Sequence, residues 1–464
     1  MSTYSKLYRV LRYIIVKPMI SGFYRHIQIK NYDKVPIGKP VIFAANHQNA
    51  LIDALNVIYA VDHRRQVTFL TRADVFNHRF KHIMLGLFKM LPVYRQRDNL
   101  PNIRELNADI FNKSVAILDR DDVILLFPEG NHDRTQRIRP LKKGIVRIGF
   151  QAAVESDFAK DIYIVPIGLN YTNHLKFHRD LLITFGDPIS LKKYYAQYQQ
   201  NESRALTDSL KEIRASIGEQ IINIRNREYY PLIRGLQQLY APQLSVARGA
   251  KKNDLEAHLR ASQEIAQSLE AYVEEAPEEA AKFQAKYEEY EAGLKELKIR
   301  DHTLERAPHG LLKIFGQELL LLIGLPLFLL GVLNNYLPYR ISWWLARKNF
   351  KDDHFHSSIT ALSAYFLFPI FFFIQTMLAW AITGKFWMAM VYLALIMIAG
   401  RFAIRYSEWF KKWWASVQHF RFRLRKHPTL SKITEIRTEL LSWVKGVMTP
   451  EEKTTESQQA TQSS

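Results

Sequence analysis

The 464-residue chain contains no cysteine. That excludes disulfides, thiol nucleophiles and cysteine-held metals, and it fits a reducing compartment. It also lacks a Gly-x-Ser-x-Gly elbow, a nucleotide-type glycine loop and a His-Glu-x-x-His pair, so three common catalytic layouts are absent. No signal peptide is expected, because basic residues interrupt every apolar run near the N-terminus. Acidic side chains are in deficit: 45 Asp and Glu stand against 64 Lys and Arg, a formal charge of +19. Such a balance suits nucleic acid or an anionic membrane. The aromatic residues, 12% of the chain, cluster late beside long apolar runs, which favours membrane and argues against nucleic acid.

The stretch Val41 to Leu55, VIFAANHQNALIDAL, carries the first chemical signal. VIFAA is short, apolar and suited to a buried strand. Asn46 or Asn49 could cap the helix that follows. His47 and Asp53 lie six positions apart, about 240° of rotation on a helix, so they cannot share a helical face. The imidazole reaches the carboxylate only if His47 sits in the turn. An Asp on one ring nitrogen fixes the tautomer and leaves the other nitrogen as a base. A turn histidine beside an unrelated helix-start aspartate would look the same in sequence.

Residues 29–200 alternate strand and helix patterns. Strands are predicted at Val41–Ala45, Gln66–Leu70, Val123–Phe127, Ile162–Leu169 and Leu181–Phe185. Helices are predicted at Leu51–Val61, His78–Lys89, Ile103–Leu118 and Lys142–Val154. This reads as an α/β domain whose mostly parallel sheet is covered by helices on both faces. Arg95 and Arg97 alternate after an apolar approach, a pairing suited to phosphate. In VILLFPEGNHDRTQRIRPLKKG a strand breaks at Pro128-Glu129-Gly130. Gly130 permits close backbone approach to a ligand. Glu129 needs a partner such as Arg95, Arg97 or a substrate hydroxyl. Lys142 closes the basic run where a helix start adds backbone donors. Pro166, inside IVPIGLNY, predicts an edge or a bulge.

In this order the blocks resemble the phospholipid/glycerol acyltransferase superfamily, the PlsC type. They are Asn46-His47…Asp53, Leu91-Pro92-Val93-Tyr94-Arg95-Gln96-Arg97, Phe127-Pro128-Glu129-Gly130 and Val165-Pro166-Ile167, followed by Gly186 to Ile189. Five residues separate His47 from Asp53 where the family usually has four, a spacing similar to fungal-type glycerol-3-phosphate acyltransferases. The stretch Lys351 to Ser358, ending Phe355-His356-Ser357-Ser358, resembles that subgroup again. Asn131-His132-Asp133-Arg134 replaces the usual Thr-Arg. The resemblance implies His47 as general base on a glycerol phosphate hydroxyl and Asp53 as its orienter. It implies that Arg95, Arg97, Glu129 and Gly130 hold the acceptor. Acyl-CoA or acyl carrier protein would be co-substrate, with no cofactor, no metal and no covalent acyl-enzyme. The acceptor would be glycerol-3-phosphate or 1-acylglycerol-3-phosphate.

The flanking regions read differently. Residues 1–28 suit a basic amphipathic helix in the membrane interface, or a helix packed on the domain, with Pro18 limiting it. Residues 201–308 suggest a helical hairpin insert, one apolar face running Leu206, Leu210, Ile213, Ile217, Ile221, Ile224. Residues 309–408 are a membrane region. The basic loop after Tyr339 and the basic tail after Arg401 suggest a re-entrant segment over 319–339 and a hairpin over 358–404 turning at Gly384-Lys385. That arrangement puts the catalytic domain on the cytoplasmic face. Residues 409–464 read as a basic aromatic tail helix, lying in the membrane interface or packed on other helices, and a disordered end after residue 448. A membrane-anchored scaffold with an inactive domain, and a thioesterase using His47 on water, are the competing readings.

Overall fold

The computed structural model describes residues 6–62, 65–73, 86, 89–94, 101–120, 122–130, 135–173, 176–304, 311–349 and 355–448. It divides into two compact units: Met1–Asn223 with Ala346–Leu362, and Ile224–Leu345 with Ser363–Ser464.

The first unit is built on one sheet. Its strands are β1 (His26–Lys30), β2 (Val41–Ala45), β3 (Val67–Arg72), β4 (Met90–Val93), β5 (Val123–Leu126), β6 (Tyr163–Tyr171), β7 (Asp180–Phe185) and β8 (Ile189–Ser190). The order is β1-β7-β6-β2-β5-β3-β4, with β8 beside β6. β6, β2, β5, β3 and β4 run parallel, while β7 runs against β6. All five residues of β2 are inaccessible to solvent, as a central strand covered on both faces requires. Pro166 is interior, not at an edge. It faces Ala44 on one side. On the other, β6 pairs with β8 at Tyr163–Ile164 and with β7 only from Ile167. The missing N–H therefore falls where the neighbour changes, and no ladder bond is lost.

Helices α1 (Lys6–Leu11) and α2 (Lys17–Phe23) are joined by a wider turn over Arg12–Val16, and the chain enters β1 at His26. The helical stretch thus runs past Pro18 and ends at Phe23. One side packs inward through Tyr8, Val16, Ile20 and Phe23, while Leu7, Val10, Tyr13 and Ile14 stay exposed. Arg12 is buried. It donates to Val61 O and, at 2.9 Å, to Asp62 O, a cation at the C-terminus of α3 (Ala50–Ala60). α4 (Ile103–Leu118), α5 (Gly144–Glu155), α6 (Tyr195–Gln200) and α7 (Glu202–Glu219) belong to the same unit. The stripe of α7 joins the core through Leu206, Ile213 and Ile217. That helix belongs to this unit, not to the insert. The predicted helix His78–Lys89 falls mostly outside the described residues.

In the second unit the expected hairpin contains three long helices: α8 (Tyr230–Ala247), α9 (Leu255–Glu275) and α10 (Pro277–Glu296). A short α11 (Asp301–Leu304) follows. Three further helices are long and apolar enough to cross a membrane: α12 (Leu311–Asn349), α13 (His356–Thr383) and α14 (Phe386–Leu424). α12 runs without a break through Gly324, Pro326 and Pro338, where a re-entrant segment was expected over 319–339. Pro338 lacks the N–H that Asn334 O would accept, and Gln375 Nε2 donates to that carbonyl instead at 2.9 Å. The turn between α13 and α14 lies at Gly384, with φ of 64°. α15 (Pro428–Met448) buries Ile433, Leu440 and Val444 against the other helices, and Trp443 stacks on Phe283. It is the packed helix of the two alternatives for this part of the tail.

Candidate functional site

Parallel strands align their carboxyl ends, and the crevice outside those ends is where open α/β sheets place ligands. Here β6, β2 and β5 deliver three loops to one place. Asn46 follows β2, and its buried amide takes the part of backbone. Its Nδ2 donates to Leu169 O at 3.1 Å, and its Oδ1 accepts from Leu169 N at 2.7 Å. Asn46 therefore extends the strand pairing and does not cap α3.

His47 then stands in the turn before α3. Its Nδ1 lies 2.8 Å from Asp53 Oδ2. With Asp53 ionised, Nδ1 carries the hydrogen and Nε2 the lone pair. The ring stacks on Phe127 at the end of β5, centroids 4.1 Å apart. Asp53 is fully buried. Oδ2 also accepts from Gln48 N at 2.8 Å and Asn49 N at 2.7 Å. Oδ1 accepts from the Tyr171 hydroxyl. Four donors are what a buried carboxylate requires. Behind it, Asn56 Nδ2 donates to Tyr171 and Tyr24 hydroxyls, each at 3.0 Å. Burial, and then the Asp53 charge, hold the Tyr171 phenol well above its usual range, so it remains a donor.

Glu129 is buried, and its Oε1 accepts from His47 N at 3.2 Å. Its Oε2 accepts from Arg139 Nε at 3.1 Å and Arg139 N at 3.3 Å. Burial raises the Glu129 carboxyl, and Arg139 opposes the rise. Gly130 has φ of 71°, a conformation that favours glycine. A Cβ there would lie 3.4 Å from Lys142 Cγ, and Lys142 N donates to Pro128 O at 2.7 Å. The side chain of Lys142 is exposed.

Of the residues singled out in sequence, His47, Asp53, Glu129, Gly130 and Lys142 therefore cluster. Arg95 and Arg97 lie outside the described residues. Sequence reasoning missed Tyr171, the partner role of Arg139, and two serines. Ser357 Oγ donates to Asn49 Oδ1 at 2.5 Å, and Ser358 Oγ accepts from Ile52 N at 3.1 Å. The only hint of the serines was their place in the stretch resembling the fungal subgroup.

Residues 26–170 match the family model described as Acyltransferase. They form an acyltransferase-family domain. The chain is 27% identical over 222 residues to Glycerol-3-phosphate O-acyltransferase 1 of Saccharomyces cerevisiae, covering 47% of this chain and 28% of that protein. An uncharacterized acyltransferase of Schizosaccharomyces pombe is 23% identical, with 49% of this chain and 46% of that protein covered. The chain thus spans less than half the length of these curated relatives. Among solved structures, the 1-acyl-sn-glycerophosphate acyltransferase PlsC of Thermotoga maritima matches 46% of this chain and 78% of its own, with 14% identity and a TM-score of 0.33. The acyltransferase domain carries the mostly parallel sheet, and the apolar helices α12 to α14 follow it in sequence.

Proposed function

We propose that this chain is a membrane-bound O-acyltransferase of phospholipid synthesis. It moves a fatty acyl group from acyl-CoA or acyl carrier protein to a hydroxyl of glycerol-3-phosphate or 1-acylglycerol-3-phosphate. The observation that carries the reading is the 2.8 Å hydrogen bond that Nδ1 of the turn histidine His47 donates to Oδ2 of the buried Asp53. The likeness to a yeast glycerol-3-phosphate O-acyltransferase favours glycerol-3-phosphate among the acceptors.

In the proposed reaction His47 Nε2 removes the proton of the acceptor hydroxyl. The new oxygen nucleophile attacks the thioester carbonyl, the C–O bond forms and the C–S bond breaks. The departing thiolate takes the proton back from the imidazolium. Asp53 fixes the tautomer and stabilises the charged ring. Arg95, Arg97, Lys142 and the Gly130 backbone would hold the acceptor phosphate. Glu129 would fix the turn through His47 N. The step draws on these residues and the two substrates alone. The domain would face the cytoplasm, where acyl-CoA and acyl carrier protein are found.

The test is transfer of labelled acyl groups from both donors, in membranes containing the chain, with the two acceptors side by side. Turnover on one acceptor should fall at least about a hundredfold in His47→Ala. No turnover above control on either acceptor would discard the reading in favour of a scaffold. Release of free fatty acid without acceptor would point to a thioesterase.

A further inference from the structure

Helix α3 begins without the usual local cap. Its N-cap residue Asn49 makes no side-chain cap bond, because its amide oxygen accepts from Ser357 Oγ. The Ile52 N–H, in the first turn, is shared between Asn49 O and Ser358 Oγ, each 3.1 Å away. N–H groups at a helix start have few internal partners, and here a second acceptor comes from 306 residues away in sequence. Both serines are buried, and both lie in the first turn of α13. Between their two contacts sits Ala50, with φ of 36°. An alanine disfavours that conformation and holds it only when its surroundings fix it.

Two clamps therefore grip one short turn. Asp53 accepts from Gln48 N and Asn49 N. The serines bind Asn49 and Ile52 on the other side. Asp53 lies one turn into the same helix, so the backbone of this turn and the position of the carboxylate are linked.

We propose that Ser357 and Ser358 are positioning residues for the His47–Asp53 pair, setting the start of α3 from the first turn of an apolar helix. The catalytic part of this inference rests on the acyltransferase reading above. The claim that the serines order the turn does not.

The experiment uses the full-length chain in detergent or membranes, with Ser357→Ala/Ser358→Ala, Ser358→Ala and Ser358→Thr, which keeps the oxygen. Turnover is measured alongside hydrogen–deuterium exchange of the segment 46–56. The double variant should lower kcat about tenfold while KM for donor and acceptor changes less than about twofold, as expected when geometry and not binding is lost. Exchange should rise over 46–56 while β6 and β7 stay protected, and Ser358→Thr should recover most of both. Unchanged exchange over 46–56 would overturn the proposal. So would activity that falls only with the amount of folded protein, or exchange that rises evenly across the domain. A wild-type chain without turnover sinks the acyltransferase reading, and the exchange comparison still decides for or against the serine clamp.

Discussion

The hydroxyl of Tyr171 donates to Oδ1 of Asp53, the carboxylate oxygen that His47 does not use. One residue at the end of β6 thus holds the orienting carboxylate from behind, and Asn56 in turn donates to that phenol at 3.0 Å. Tyr171→Phe removes a donor from a fully buried charge. The expected outcome is a stability loss of about 1–3 kcal/mol and a roughly tenfold lower kcat with little change in KM. Denaturant unfolding and steady-state kinetics on the same preparation would check both.

Asp53→Asn keeps the size of the side chain and removes its charge. The Gln48 and Asn49 N–H groups hold the amide oxygen at the Oδ2 position, so His47 keeps its tautomer while its protonated ring loses the opposing carboxylate. Turnover should fall by about two to three orders of magnitude. The fall should exceed that of Tyr171→Phe, since only the first removes the charge that stabilises the imidazolium. If Asp53→Asn retained most of the activity, that stabilising role would be wrong.

Glu129 supplies a pH dependence with a definite sign. Burial raises its carboxyl in the folded protein. Between its unfolded and folded values the folded state binds more protons than the unfolded one, so stability falls as pH rises through that window. The increment is fully present below about pH 4.3, the unfolded carboxyl value. Glu129→Gln should flatten that slope. Unfolding midpoints of wild type and variant between about pH 4 and pH 7 would diverge if the assignment holds and run parallel if it does not.

Gln375→Leu tests the apolar helices. It removes the donor to Asn334 O, the carbonyl that Pro338 leaves without a helical partner. In an apolar bundle the loss is expected to be about 1–2 kcal/mol. Replacing Pro338 by Ala in the same chain should recover part of it, because the helix then supplies its own N–H. Thermal stability of the detergent-solubilised protein would read both changes.

Much of the first unit was readable from local pattern. Val41–Ala45 and Ile103–Leu118 have the bounds the sequence predicted, because each is a clean apolar run or stripe between clear breaks. The His47–Asp53 contact was readable because a short spacing allows few geometries. What escaped depended on distance in sequence. Nothing local marks Tyr171 as the partner of a carboxylate 118 positions earlier, or Arg139 as the ion-pair partner that Glu129 needed. β1 and β4 were missed because His26–Lys30 and Met90–Val93 are too short and mixed to stand out. Pro166 misled because a proline predicts a broken hydrogen bond, and it sits where the neighbouring strand changes and there was none to break.

The bond from Ile52 N to Ser358 Oγ also sets an order in time. A ribosome that has made 223 residues has made every strand of the sheet, and His47, Asp53 and Tyr171 with them. Ser358, the second acceptor of the Ile52 N–H, is still more than a hundred residues from being synthesised. It emerges only after α12 has been translated, and it heads the next apolar helix. A nascent chain can therefore complete its sheet well before it completes this turn.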